Sequence, residues 1–253
     1  MNLLDNPLIT SMMFYPRKDS PGGSSAPSAV DGTIPVESDV VLGYRYFPHG
    51  GDGPTVLFFH GNGEIASDYD GIALEFHKIG AALLVVDYRG YGWSTGQPRG
   101  SQLMDDVEPI HKALPGIFKN EKPLYVMGRS LGSASAIHYA HKHPEQFKGI
   151  IIESGFAHSP KLLATLGVPA SLLGNIPDPI GNVSKMQEID LPLLVIHGEK
   201  DTLIPVRNEQ ELFDASPSAH KNFLQIPNAG HNDLLYIGLP DYFAAIAELL
   251  NAD

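Results

Sequence analysis

The chain contains no cysteine. Disulfides, thiolate nucleophiles and Cys-based metal sites are therefore excluded. Positive charge is scarce: 17 Lys and Arg face 29 Asp and Glu, a formal net charge of −12. Such a surface repels phosphate backbones and anionic headgroups, so neither a nucleic acid nor an anionic membrane is an expected partner. No run of residues approaches the ~18 consecutive apolar positions of a membrane span. The stretch MNLLDNPLITSMMFYP has no basic region, and Asp5 interrupts it before an apolar core forms. No export signal is legible there, and a cytoplasmic protein is the expectation.

What is present is a globular composition. Of 253 residues, 43% are hydrophobic and 18% charged, which suits a packed core rather than a disordered chain. That length fits a single domain over residues 1–253. The 26 Gly and 21 Pro imply many turns between short elements. Residues 1–38 are weakly patterned, and SPGGSSAPSA (20–29) reads as flexible. This N-terminal part is expected to be a surface arm, early strands or a strand-connecting loop.

Beyond it, strands and helices alternate. Apolar runs fit buried strands at Val41–Phe47, Thr55–His60, Ala82–Tyr88, Leu124–Gly128, Gly149–Glu153, Leu193–His197 and Phe223–Ile226. Amphipathic stretches at Ile65–Ile79, Gln102–Phe118, Leu131–His143, Arg207–Ala215 and Asp241–Leu250 read as helices. The expected fold is α/β, a doubly wound, mostly parallel sheet with ligands at the carboxyl ends of its strands. Residues 155–190 break the alternation. They include Leu162, Leu163, Leu166, Leu172, Leu173, Ile176 and Ile180 and carry little charge. This length exceeds an ordinary connection and predicts a short helical lid, or an extra structural helix pair.

Gly-x-Ser-x-Gly occurs twice, as Gly92–Gly96 around Ser94 and as Gly128–Gly132 around Ser130. A nucleophile elbow needs a strand entering the turn and a helix leaving it. Ser130 follows the apolar run 124–127 and precedes SASAI, a good helix start. Ser94 lies several residues past its strand and is followed by Gly96, Pro98 and Gly100, so it reads as a turn residue. A serine hydroxyl needs a base, and the base needs an orienting group. Asp201 and His231 both follow the ends of predicted strands, on the edge where Ser130 must sit. Glu199 shares Asp201's loop but reads as a solvated neighbour, and Glu153 is the rival acid. His60 and His197 close apolar strands and read as hydrogen-bonded structural histidines. His138, His141 and His143 lack a further ligand cluster, so no metal site is expected. For an oxyanion, the candidate donors are the backbone N–H groups of Leu131 and of Asn62 in His60-Gly61-Asn62-Gly63-Glu64.

The ordered set HGNGE (60–64), DYRGYGWSTG (87–96), GRSLGSASA (128–136), GEKDTLIP (198–205) and NAGHND (228–233) resembles the serine α/β-hydrolases. It is most similar to the HGN/GxSxG branch of esterases, peptidase-like enzymes and depalmitoylating thioesterases. The resemblance runs from about Val41 onward. It implies a Ser130–His231–Asp201 triad, no cofactor, and a small-molecule ester or acyl substrate. Some related enzymes place the acid at the position of Glu153. The chain lacks the membrane anchor or N-terminal cysteine cluster of the membrane-associated members, and Ser130 stands where dehalogenases and epoxide hydrolases need Asp. The apolar residues of 155–190, with Tyr91 and Trp93, suggest short to medium acyl esters. Other readings are a thioesterase, a serine peptidase, an acyltransferase, or a non-catalytic binding module on the same fold.

Overall fold

A computed structural model of the chain describes residues 3–26, 28–117, 122–173 and 177–251. Phe118 and Ile176, assigned above to a helix and to the lid, lie outside the described residues. Eight strands form one sheet: β1 (Val30–Glu37), β2 (Val40–Phe47), β3 (Thr55–Phe59), β4 (Ala82–Val86), β5 (Leu124–Arg129), β6 (Gly149–Glu153), β7 (Leu193–Gly198) and β8 (Lys221–Ile226). Their spatial order is β1-β2-β4-β3-β5-β6-β7-β8. Strands β3 to β8 pair in parallel, whereas β2 pairs antiparallel with both β1 and β4. The order reverses at β3, which lies between β4 and β5. Open sheets of this kind bind ligands beside the carboxyl ends at such a reversal.

Helices cover both faces because the central strands are apolar on both. Leu57, Leu84, Val126, Ile152 and Val195 point to one core, and Phe58, Val85, Met127, Ile151 and Ile196 to the other. The first core is closed by α3 (Gln102–Asp105), α4 (Val107–Ile117), α5 (Ser133–Lys142) and their neighbours. The second lies under α2 (Asp70–Lys78) and α10 (Leu234–Leu250). At ~25 cal/mol per Å² of buried apolar surface, these two layers supply the main drive for folding. Among the described residues no helix is long and apolar enough to cross a membrane.

The structure departs from the sequence expectation in four places. Strand β1 falls in the part expected to hold an arm or early strands, but no apolar run delimits it; its sequence VDGTIPVE contains Asp31, Gly32 and Pro35, which only an edge strand tolerates. The N-terminal part is not a surface arm: α1 (Pro7–Met13), capped by Asn6, buries Ile9 and Met13 completely, and Leu4 before it is buried as well. Residues 155–190 hold α6 (Ser159–Thr165), α7 (Ala170–Leu173) and α8 (Asn182–Met186). Helix α8 packs on α5 and on α9 (Arg207–Ala215), with Met186 and Ile189 buried, so this half is part of the layer and not a lid. Finally, α10 starts at Leu234 rather than Asp241. Gly238 and Pro240 kink it, and the apolar Leu234 before the kink packs into the core.

Candidate active site

Ser130 occupies a sharp turn between β5 and α5. Its φ is +52°, in the left-handed region that costs a non-glycine residue about 1–3 kcal/mol. The turn is held from both sides. The Ser133 hydroxyl donates to the Ser130 carbonyl at 2.7 Å. Gly132 abuts the end of β3 so closely that a Cβ there would stand 2.0 Å from the Phe59 carbonyl oxygen. A Cβ on Gly128 would meet the Gly132 carbonyl oxygen at 2.4 Å. Strand, elbow and helix can approach this closely only because both positions lack side chains.

Residues from three separate loops meet at the elbow. His231 Nε2 lies 2.9 Å from Ser130 Oγ, and His231 Nδ1 lies 2.7 Å from Asp201 Oδ2. Asp201 Oδ1 accepts from the backbone N–H groups of Leu203 (2.9 Å) and Ile204 (2.8 Å). An ionised carboxylate only accepts, so Nδ1 carries the proton and Nε2 is free to accept from the serine hydroxyl. Asp201 is buried, which pushes its pKa up. The His231 hydrogen bond and charge, the Ile204 amide and the neighbouring His197 outweigh burial and hold it below the ordinary carboxylate range. Ser130 is 8% exposed and the His231 side chain 9%, so the dyad keeps narrow solvent access.

The turn after β3 lies beside the elbow and carries Asn62. Its side-chain oxygen accepts from the Tyr91 hydroxyl at 2.6 Å and from the Tyr15 N–H at 2.9 Å. His60 fixes the same turn, its Nδ1 donating to the Gly61 carbonyl at 2.8 Å. Leu131 sits inside a 3-10 turn over Ser130–Gly132, where the leading amides have no intrahelical acceptor. Past the turn that follows Asp201, a cavity of about 160 Å³ is lined by Phe156, Lys161, Leu162, Leu203, Arg207, Glu211 and their neighbours.

The other candidates are placed elsewhere or held in other bonds. Glu153 binds Arg129 Nε at 3.0 Å and the Tyr242 hydroxyl at 2.7 Å. Glu199 accepts from the Asn228 N–H. The Ser94 hydroxyl donates to the Asp87 carbonyl and accepts from the Gly43 N–H. His197 Nε2 donates to the Ile204 carbonyl at 2.9 Å. Burial alone would lower the His197 pKa; Glu209, Asp201 and that carbonyl raise it above the ordinary value. His141 pairs with Glu188, and His143 pairs with Glu108 and stacks on His111. His138 lies half-buried on α5. Tyr91 and Trp93 do not line an acyl surface as expected: Tyr91 is fully buried, and Trp93 stacks under Arg45 and donates to the Gly32 carbonyl. Sequence reasoning missed Arg129 and Tyr15. Arg129 lies inside a recognised motif, but no spacing reveals the contacts it makes.

The family model described as serine aminopeptidase, S33 (Hydrolase_4) matches residues 53–176 and 182–235. An uncharacterised protein of Mycobacterium tuberculosis is 30% identical over 221 residues, covering 84% of this chain and 76% of its own length. An esterase of Pyrococcus furiosus superposes with a TM-score of 0.75 at 22% identity, covering 94% of this chain and 97% of that one. A soluble variant of the monoglyceride lipase of Saccharomyces cerevisiae, in complex with a substrate analogue, gives 0.71 at 17% identity, covering 91% and 97%. At these identities the two structures are similar to this chain in fold.

Proposed function

Because the chain belongs to the serine aminopeptidase S33 family of α/β-hydrolases, we propose that it is a serine hydrolase of carboxylic esters with short to medium acyl chains. Ser130 Oγ attacks the ester carbonyl while His231 Nε2 takes its proton. Asp201 holds the imidazole in the productive tautomer and stabilises the imidazolium. The Leu131 and Asn62 N–H groups stabilise the oxyanion, each worth about 3 kcal/mol in the transition state. The alcohol leaves with the proton from His231. Water then attacks the acyl-enzyme with His231 as base. No cofactor enters these steps.

The observation that carries this reading is the continuous hydrogen-bonded line from Ser130 through His231 to Asp201, starting from a strained serine. Ester chemistry is favoured over aminopeptidase chemistry by the nearby acids. An aminopeptidase must pair the substrate's ammonium group, but Glu64 and Glu153 beside the elbow are both bound to Arg129. The esterase and lipase that share the fold act in the same sense.

The test begins with a fluorophosphonate probe and peptide mapping of the adduct. The expected adduct is on Ser130, and Ser130→Ala abolishes it. A series of p-nitrophenyl esters from acetate to palmitate then peaks at short or medium chains, with amino-acyl anilides turned over far more slowly. An adduct elsewhere, or esterase activity surviving Ser130→Ala, overturns the reading. Preference for the anilides would instead assign a peptidase.

A further inference from the structure

Arg129 is the last residue of β5 and directly precedes Ser130. Its guanidinium is mostly buried, with 13% of the side chain exposed. Nε donates to Glu153 Oε1 at 3.0 Å, and Nη1 pairs with Glu64 Oε1. Nη2 donates to the backbone carbonyl of His231 at 2.9 Å and to Asn232 Oδ1 at 3.1 Å. Glu64 in turn uses Oε2 to accept from the Gly61 N–H at 2.7 Å, and so grips the turn that carries Asn62. Tyr69 and Tyr242 complete the shells of Glu64 and Glu153. Burial pushes the Glu64 pKa up, but the Arg129 charge, with the Tyr69 and Gly61 bonds, brings it below its ordinary value. One side chain thus touches the His231 loop and the end of β6, and through Glu64 holds the turn after β3.

A buried ion pair alone adds little stability relative to apolar residues of the same volume. Two bonds run to no acid, those to the His231 carbonyl and to Asn232 Oδ1, and the first is the informative one. The His231 carbonyl is neutral, and a cation placed only to offset two carboxylates would not need it. Through that bond, the residue preceding the nucleophile fixes the backbone that carries the base. A lysine cannot reproduce this, because its single nitrogen cannot span acceptors placed around a planar fork.

We infer that Arg129 is a positioning residue: it sets the approach of His231 to Ser130 by holding the His231 carbonyl and, through Glu64, aligns the turn bearing Asn62. This inference rests on the serine-hydrolase reading above. An adjoining cavity of about 210 Å³, lined by Arg129, Glu64, Glu153, Asn232, Tyr242 and apolar neighbours, leaves room for a small planar cation.

The experiment compares wild type with Arg129→Lys, and with Arg129→Ala in the presence and absence of guanidinium below denaturing concentration. Fluorophosphonate labelling, kcat and KM on a p-nitrophenyl ester, and thermal melting are followed together. Arg129→Lys is expected to melt as a folded protein, to lose ~10²-fold in kcat and labelling rate, and to keep KM within a few-fold. Guanidinium, but not an equal concentration of sodium, restores part of kcat to Arg129→Ala. Should these variants fail to fold, the pair Arg129→Gln/Glu64→Gln, which removes one charge of each sign, is expected to fold and show the same loss. Wild-type kcat in any folded variant, or KM rising while kcat holds, overturns the inference. Failure of every variant to fold also counts against it, because the residue would then serve stability alone. If wild type itself does not label at Ser130, the functional reading is what has failed.

Discussion

Replacing Asp201 by Asn keeps the outline of the side chain and changes one acceptor into a donor. The structure determines which way the amide turns. Two backbone N–H groups, from Leu203 and Ile204, converge on Oδ1. An amide nitrogen placed there would leave both buried donors facing another donor, at about 1–3 kcal/mol each. The Asn oxygen therefore stays with the backbone and its NH2 faces His231 Nδ1, now occupying the position 2.7 Å away. His231 must accept at Nδ1, so its proton moves to Nε2, where Ser130 Oγ lies 2.9 Å away. The base then offers a proton where it should receive one. The expected loss is on the order of 10⁴ in kcat, or about 5 kcal/mol of barrier. Stability is affected less. Asp201 has a lowered folded pKa, so its contribution is present above 3.8 and is lost as pH falls through the lower folded value. The assay is p-nitrophenyl acetate turnover at pH 7 with a parallel melt. Turnover within tenfold of wild type in a folded Asp201→Asn protein refutes this reasoning and directs attention to Glu153.

Other outcomes follow from the same contacts. Gly132→Ala forces a Cβ to 2.0 Å from the Phe59 carbonyl oxygen, which must part β3 from the elbow; a loss of about 1–3 kcal/mol and ~10²-fold in labelling rate is expected, and unchanged rates would refute the close approach. Burial first, then the charges of Lys185, Lys142 and His141, lower His138 from 6.5 to about 4. The unfolded chain therefore binds a proton that the native protein refuses between those values. Stability falls as pH drops through that window, by less than the full shift implies because the ring is partly solvated, and His138→Leu flattens the decline in melts from pH 7 to pH 4. Burial likewise lowers Lys185 from 10.5 to about 8, with its ammonium against Met104 Sδ. Lys185→Met should raise Tm at pH 7 by the equivalent of about 1–3 kcal/mol, and wild type should gain stability between pH 8 and 10.5. A lower Tm for that variant would show that the charge is well solvated.

How much of this was legible depended on where each signal resides. Strands β3 to β7 are near-continuous Val, Ile and Leu because both faces are covered, and their runs could be read to within two residues. Strand β1 defeats such reading: Ile34 is its one fully buried position, and Pro35 argues against a strand. Helix α1 has seven residues, too few for a period to emerge. Ser130, Asp201 and His231 stood out because each follows a strand that ends in a small-residue turn, and the fold brings those ends to one edge. The contacts of Arg129 could not be foreseen, since its partners Glu64, Glu153 and the His231 carbonyl come from two loops and the end of β6, up to 102 residues away. Trp93 shows the opposite failure. An aromatic beside a site motif suggested a substrate surface, but the Gly43 backbone offers a flat recess and Arg45 a cation to stack on, and these fix the indole at β2.

The seating of residues 3–19 also orders events during synthesis. The Leu4 carbonyl accepts from Gly100, and Asp5 binds Ser101, 96 residues further along. Tyr15 and Arg17 wait for Asn62, Tyr91 and Gly92. These contacts have large sequence separation, and closing such loops is slow compared with forming a helix. A segment that leaves the ribosome early is thus among the later ones to dock, and until it does Ile9, Met13 and Phe14 stay exposed. The nascent chain carries an apolar patch through the time needed to make about a hundred residues, roughly 5–20 s at ribosomal speed.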